Sequence, residues 1–277
     1  MNPRQFIVIT DLDGTLLDRE SYSYAASLPA VQRLRSLQVP LVLCSSKTCS
    51  EIAVVWKELG LRDPFISENG GAIYFLPDYF RFPVAGTIRK GELIALELGT
   101  DVTVLRRELA RAARETGVQV RCFETMSTDE VARLTGLSQE QAALAVRREY
   151  DEPVLVESGN ADALIAALRA RAFTVTHGDR FLHLARGHDK GKAVRLLLHL
   201  YRRRGSAVVS VGLGNSVNDL PMLREVDHPV VVKNSDGCYD SEILRALPQI
   251  DRTEGIGPEG WSEAIQRIVI DLAGKIS

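Results

Sequence analysis

A chain of 277 residues with 45% hydrophobic and 25% charged residues is long enough to bury a full core, as one large domain or two smaller ones. A formal net charge of −2 points to neither nucleic acid nor an anionic membrane as partner. No apolar run approaches about 18 residues, and the first residues lack the basic-then-apolar pattern of a secretory signal, so a cytoplasmic location is expected. The four cysteines (Cys44, Cys49, Cys122, Cys238) form no Cys-X-X-Cys pair and read as reduced thiols rather than disulfides or a zinc site.

The first predicted element is the apolar, β-branched run Phe6–Thr10, a buried strand. It runs into Asp11-Leu12-Asp13-Gly14-Thr15, where two carboxylates one residue apart point the same way and Gly14 permits a sharp turn. At an effective dielectric of about 20, two such charges ~4 Å apart repel by about 4 kcal/mol. The pair makes sense if a cation lies between them or a proton is shared. Ser27 opens an amphipathic helix through Val31, Leu34 and Leu37; Pro40–Cys44 is a second strand, followed by Ser45-Ser46-Lys47. Thr48 with Glu51 forms a capping box for a helix ending near Gly60, and a third strand, Phe65–Ser67, leads into Glu68-Asn69-Gly70-Gly71.

This strand–helix alternation predicts a parallel sheet. The pattern changes around Pro83 to Gly91. A strand from Leu93, a helix Val102–Glu115, a strand Val118–Phe123, short helices near Val131–Leu134 and Ser138–Arg148, a strand Pro153–Glu157, a helix Ala161–Arg171 and strands near Thr174–Thr176 and Phe181–His183 read as an inserted α+β unit over residues 86–186. From Gly187 the α/β pattern returns with helix Lys190–Arg203, strand Ala207–Val211, the loop Gly212–Asp219, helix Leu220–Glu225, strand Pro229–Val232 and a C-terminal helix Trp261–Leu272. The expected fold is α/β: a Rossmann-like three-layer parallel-sheet core, residues 1–85 and 187–277, with an inserted α+β cap domain.

In open parallel sheets ligands bind beyond the carboxyl ends of the strands, and three polar clusters follow apolar strands here: Asp11/Asp13, Ser45-Ser46-Lys47 and Asn215–Asp219. Gly212-X-Gly214 does not complete a dinucleotide fingerprint, because Val217 occupies the place of the third glycine. The clusters suit phosphoryl transfer, in which a carboxylate must approach an anionic phosphate. In that reading Asp11 is the nucleophile and Asp13 the acid and base. Mg2+, a hard cation, is held by Asp11, Asp13, Asn215 and Asp219. Ser45 and Ser46 contact phosphate oxygens at a helix N-terminus, and Lys190 supplies a fixed positive charge. Taken singly, Ser45–Thr48 reads equally as a helix cap and Lys190 as a solvated helix start.

The clusters resemble the four signatures of the haloacid dehalogenase-like superfamily, and the insert resembles its α+β cap type. Ser45-Ser46-Lys47, Ser67–Gly71, Arg148–Glu152, Gly178 with Arg180-Phe181, and the Gly212-Leu213-Gly214 lead-in are similar to the mannosyl-3-phosphoglycerate phosphatase family. That resemblance implies Mg2+-dependent hydrolysis of a small phosphorylated glycoside through an aspartyl-phosphate, by a monomer or homodimer. It also implies phosphate or substrate binding by Ser45, Ser46, Lys47, Asn69, Gly70, Arg148, Arg180 and Asn218. Lys47, Arg148 or Arg180 would answer the substrate carboxylate, and Glu149 or Glu152 the sugar hydroxyls. The family usually has Asp where this chain has Asn215, which implies weaker Mg2+ binding and slower turnover that Asn215→Asp would reverse. Two alternatives stay open: a broader sugar-phosphate phosphatase of the same cap type, and a non-catalytic phospho-glycoside binding protein weakened at Asn215.

Overall fold

A computed structural model describes residues 4–177, 180–205 and 207–273. The chain runs β1 (Arg4–Thr10), α1 (Leu28–Ser36), β2 (Leu41–Cys44), α2 (Cys49–Glu58), β3 (Phe65–Ser67), β4 (Ala72–Phe75), β5 (Thr87–Lys90) and β6 (Leu93–Glu97). It continues through α3 (Val102–Thr116), β7 (Gln119–Cys122), α4 (Thr128–Thr135), α5 (Gln139–Ala145), β8 (Asp151–Ser158), α6 (Ala161–Arg169), β9 (Thr174–His177) and β10 (Leu182–Ala185). It closes with α7 (Lys190–Arg202), β11 (Ala207–Gly214), α8 (Leu220–Leu223), β12 (His228–Lys233), α9 (Ser241–Ala246), β13 (Asp251–Ile256) and α10 (Gly257–Ala273).

The large sheet has nine strands in the order β13-β12-β11-β1-β2-β3-β4-β6-β5. β1 lies between β11 and β2, parallel to both. Its apolar residues are buried on both faces, as a strand sandwiched between helix layers requires. Val8 joins α1, α2 and α10 residues such as Leu34, Trp56 and Trp261 on one side. Ile7 and Ile9 join α7 and α8 residues such as Val194, Leu197 and Met222 on the other. The three-layer core is therefore as expected, but the sheet is mixed: β4, β6 and β5 continue it antiparallel.

That continuation moves the edge of the insert. Of residues 87–97, read from sequence as the start of the α+β unit, β6 pairs instead with β4, from Ala72↔Glu97 to Phe75↔Ile94, and β5 pairs with β6 at the edge of the same sheet. Ala95 and Leu96 on this hairpin are buried in the core. A boundary at residue 86 thus falls inside the large sheet. The second sheet is antiparallel, β7-β8-β10-β9. It is covered by α3 and α6 through Leu105, Leu109, Leu164 and Leu168. Among the described residues no helix is long and apolar enough to cross a membrane.

The two sheets are joined through Glu68. After β3 the chain takes three consecutive left-handed residues, Glu68 (φ 48°), Asn69 (φ 56°) and Gly70 (φ 99°). This turns the Glu68 side chain into a fully buried position. Its carboxylate accepts the backbone N–H groups of Glu149 (3.1 Å), Tyr150 (2.8 Å) and Asp151 (2.8 Å) at the entry to β8. Burial pushes the Glu68 carboxyl up, to about 7, against the pull of Arg148. Glu68→Ala leaves three buried donors unpaired at about 1–3 kcal/mol each. Urea unfolding should show a loss of ~3 kcal/mol or more, and a loss below ~1 kcal/mol would refute this account of the joint.

Candidate active site

The Asp11 turn is held from below. Asp11 continues the β1–β11 ladder, its N–H donating to Leu213 O at 2.9 Å. Trp261 Nε1 donates to Thr10 Oγ1 (2.9 Å), which in turn donates to Asp11 O (2.8 Å). The N–H groups of Thr15 and Leu17 close the turn onto Leu12 O. These bonds present Asp11, 6% exposed, at the carboxyl end of β1, with Asp13 next to it and more open.

Lys190, the first residue of α7, is 1% exposed, so the solvated-helix-start alternative is excluded. Its Nζ lies 2.6 Å from Asp11 Oδ1 and 2.6 Å from Asp219 Oδ1. Burial works against its charge, yet Asp11 and Asp219 hold its pKa above the ordinary lysine range. Burial first and Asp219 second push the Asp11 carboxyl up, and Lys190 pulls it down. The ammonium 2.6 Å away is thus the group that favours an ionised Asp11. The start of α7 is set by contact with the turn after β3. A Cβ on Gly70 would lie 2.2 Å from Asp189 O, so only glycine allows this approach.

The loop after β11 is built around Asp219. Its Oδ2 accepts the N–H groups of Asn215 (2.9 Å) and Ser216 (3.1 Å), while its Oδ1 meets Lys190. A Cβ on Gly214 would fall 2.5 Å from Asp219 Cβ. The glycine therefore makes room for a carboxylate, not for a dinucleotide. With both oxygens engaged, Asp219 organises the loop and Lys190. Asn215, 1% exposed, accepts from Thr15 Oγ1 at its Oδ1 (3.0 Å).

The second cluster faces the same turn. Lys47 Nζ is 3.0 Å from Asp13 Oδ2 and 3.9 Å from Glu51, and it lies 4.6 Å from the centre of the Tyr22 ring. Asp13 Oδ1 is buried without a hydrogen-bond partner. Ser45 is buried, its Oγ accepting from Lys47 N and its O from Asn69 N. Asn218 Nδ2 donates to Asn69 Oδ1 at 3.4 Å, linking the loop after β11 to the turn after β3. Arg148 Nη1 donates to Ser46 O (2.8 Å), its side chain 7% exposed and its buried Nε unpartnered.

Other expected contacts are not seen. Arg180 is exposed on the β9–β10 connection, and Gly178 lies outside the described residues. Glu152 is fully buried and bound by Arg106 at 2.6 Å, and Glu149 is bound by Lys90 and Tyr74. Both carboxylates are thus engaged within the protein. Tyr22 and Asn234 carry no motif signal, and Glu68 lies inside the Ser67–Gly71 motif, which does not reveal its main-chain partners. Asp11 and Asn215 Oδ1 are oxygen donors of the kind a hard divalent cation takes, and Asp13 Oδ1 is free of any hydrogen bond; no three His, Cys, Asp or Glu side chains among the described residues form a metal cluster.

The family profile of haloacid dehalogenase-like hydrolases matches residues 8–81 and 152–238, which carry all four clusters, and the chain belongs to that family. Over 97% of both chains it is 43% identical to the glucosyl-3-phosphoglycerate/mannosyl-3-phosphoglycerate phosphatase of Methanococcoides burtonii. It is 35% identical to the protein of the same name from Persephonella marina, over 96% of this chain and 98% of that one. To the mannosyl-3-phosphoglycerate phosphatase of Pyrococcus horikoshii it is 34% identical, over 82% of this chain and 90% of that one. Among solved structures, a protein of Thermoplasma acidophilum shares the fold at a TM-score of 0.69 and 16% identity, covering 97% of this chain and 100% of that one.

Lys190→Met leaves Asp11 and Asp219 facing each other in a buried site. The expected loss of stability is about 3–5 kcal/mol at pH 7, measured by urea unfolding. An unchanged midpoint would count against the buried ion pairs.

Proposed function

We propose that the chain is a Mg2+-dependent phosphatase that releases phosphate from glucosyl- or mannosyl-3-phosphoglycerate. The observation that carries this is the buried Asp11–Lys190–Asp219 arrangement at the ends of β1 and β11. It occurs in a chain nearly half identical, end to end, to a phosphatase of that name.

Asp11 attacks phosphorus with a carboxylate oxygen, the bond from phosphorus to the glycerate oxygen breaks, and an aspartyl-phosphate forms. Asp13 holds the proton for the departing alkoxide at Oδ1, since Oδ2 is occupied by Lys47. In the second half-reaction the same oxygen takes a proton from water, which attacks phosphorus and returns Asp11 to its carboxylate. Lys190 holds the Asp11 side chain in place and offsets charge on the transferring group. Asp11 and Asn215 would hold Mg2+, which when bound neutralises phosphate oxygens so that two anions can meet, while the Asp13 carboxyl is kept for the proton. Asp219 orients Lys190 and the Asn215 N–H rather than serving as a ligand.

Arg148, buried and short of one partner beside Ser46, is the group we assign to the substrate carboxylate. This favours a phosphoglycerate ester over a simple hexose phosphate, which has no second anion.

Phosphate release should be seen with both glycosyl-3-phosphoglycerates and Mg2+, should vanish with EDTA, and should vanish in Asp11→Asn. Equal or higher kcat/KM on mannose-6-phosphate would replace this reading with the broader sugar phosphatase. Arg148→Ala should raise KM about 10–100-fold for the phosphoglycerate substrate, as loss of a charged hydrogen bond worth about 1.5–3 kcal/mol implies, and leave hexose-phosphate hydrolysis within about twofold.

A further inference from the structure

Asn234 follows the last residue of β12, in a turn closed by its N–H to Cys238 O (2.9 Å) and by Gly237 N–H to its own carbonyl (2.9 Å). Its side chain makes two bonds to one residue. Nδ2 donates to the backbone carbonyl of Asn215 at 3.1 Å, and Oδ1 accepts from Asn215 Nδ2 at 2.7 Å. The first bond decides the second. A backbone carbonyl can only accept, so the amide nitrogen of Asn234 must face it. The oxygen of Asn234 then faces the Asn215 side chain, which must offer a donor there. Asn215 therefore places its nitrogen toward Asn234 and its oxygen toward the Thr15 hydroxyl, 3.0 Å away in the Asp11–Thr15 turn.

We propose that Asn234 is a positioning residue that fixes which end of the Asn215 amide faces the Asp11 turn, so that Asn215 presents a neutral oxygen to the cation. The cation part rests on the functional reading above. The orientation part stands on the hydrogen bonds alone. A carboxylate at position 215 would set two acceptor oxygens against each other at the distance now spanned by the 2.7 Å bond. The Asn234 amide cannot relieve this by turning over, because its oxygen would then oppose the Asn215 carbonyl. Asparagine at 215 is thus matched to its neighbour, and Asn215→Asp alone does not simply add a metal-binding charge.

The test uses the full chain without metal and then with Mg2+ alone. Asn215→Asp should lower the metal-free Tm by several degrees, and Asn215→Asp/Asn234→Ser, whose hydroxyl can turn to donate, should recover most of it. Asn234→Ala should weaken Mg2+ binding in isothermal titration calorimetry about 10–100-fold, the usual effect of losing a group that orients a metal ligand, with phosphate release falling in parallel at subsaturating Mg2+. An Asn215→Asp Tm equal to or above that of the parent, or an Asn234→Ala affinity within about twofold of it, overturns the proposal. A parent that binds Mg2+ but releases no phosphate overturns the functional reading and leaves this one standing. A parent that binds no Mg2+ overturns the cation part of both, while the Tm comparison still decides the orientation.

Discussion

The structure turns on one buried ammonium group shared by two carboxylates. Lys190 is fully buried between Asp11 and Asp219. Neither carboxylate could stay ionised there alone, since an isolated charge in such surroundings is strongly disfavoured. The lysine comes from the start of α7, the carboxylates from the loops after β1 and β11, so three distant segments are locked to one another by charge. The pairing also sets the chemistry. Burial and Asp219 lift the Asp11 carboxyl to about 7, and the ammonium 2.6 Å away is the group that pulls it back toward its ionised form.

The framework around it exists to hold those groups in register. Parallel β1 and β11 end side by side, which puts Asp11 next to the Asn215–Asp219 loop. Close backbone contacts then set the final distances: Gly70 lets α7 start against the turn after β3, and Gly214 lets Asp219 fold back onto its own strand. Hydrogen bonding completes the division of labour. Asp219 spends its oxygens on Lys190 and on two backbone N–H groups, which ties the loop after β11 to the start of α7.

Much of this was legible in the residues. The apolar run Phe6–Thr10 announces a sheet strand running into two aspartates, and the capping box read at Thr48 is present. β13 and β5 escape notice because Asp251–Ile256 and Thr87–Lys90 are edge strands of largely polar composition, with no apolar run to mark them. The start of the insert is misread for the same reason: the β5–β6 hairpin belongs to a sheet whose β4 lies after a glycine pair and is only four residues long. The partners of Glu68 and Asn234 are hidden for another reason. Glu68 binds main-chain N–H groups far away in sequence, and Asn234 binds both the main-chain carbonyl and the side-chain amide of Asn215; no side-chain pattern encodes a main-chain partner that every residue possesses.

The Glu68 joint has a consequence for how this molecule can drift. One side chain on the large sheet grips the main chain of residues 149–151, not their side chains. Substitutions at those three positions therefore leave the grip intact as long as the backbone keeps its path and none becomes proline. The glutamate has no such freedom, because aspartate is a carbon too short and glutamine surrenders an acceptor. Variety in the residues over the site and constancy in how they are anchored are thus compatible, and the constraint on the whole connection is concentrated in a single position.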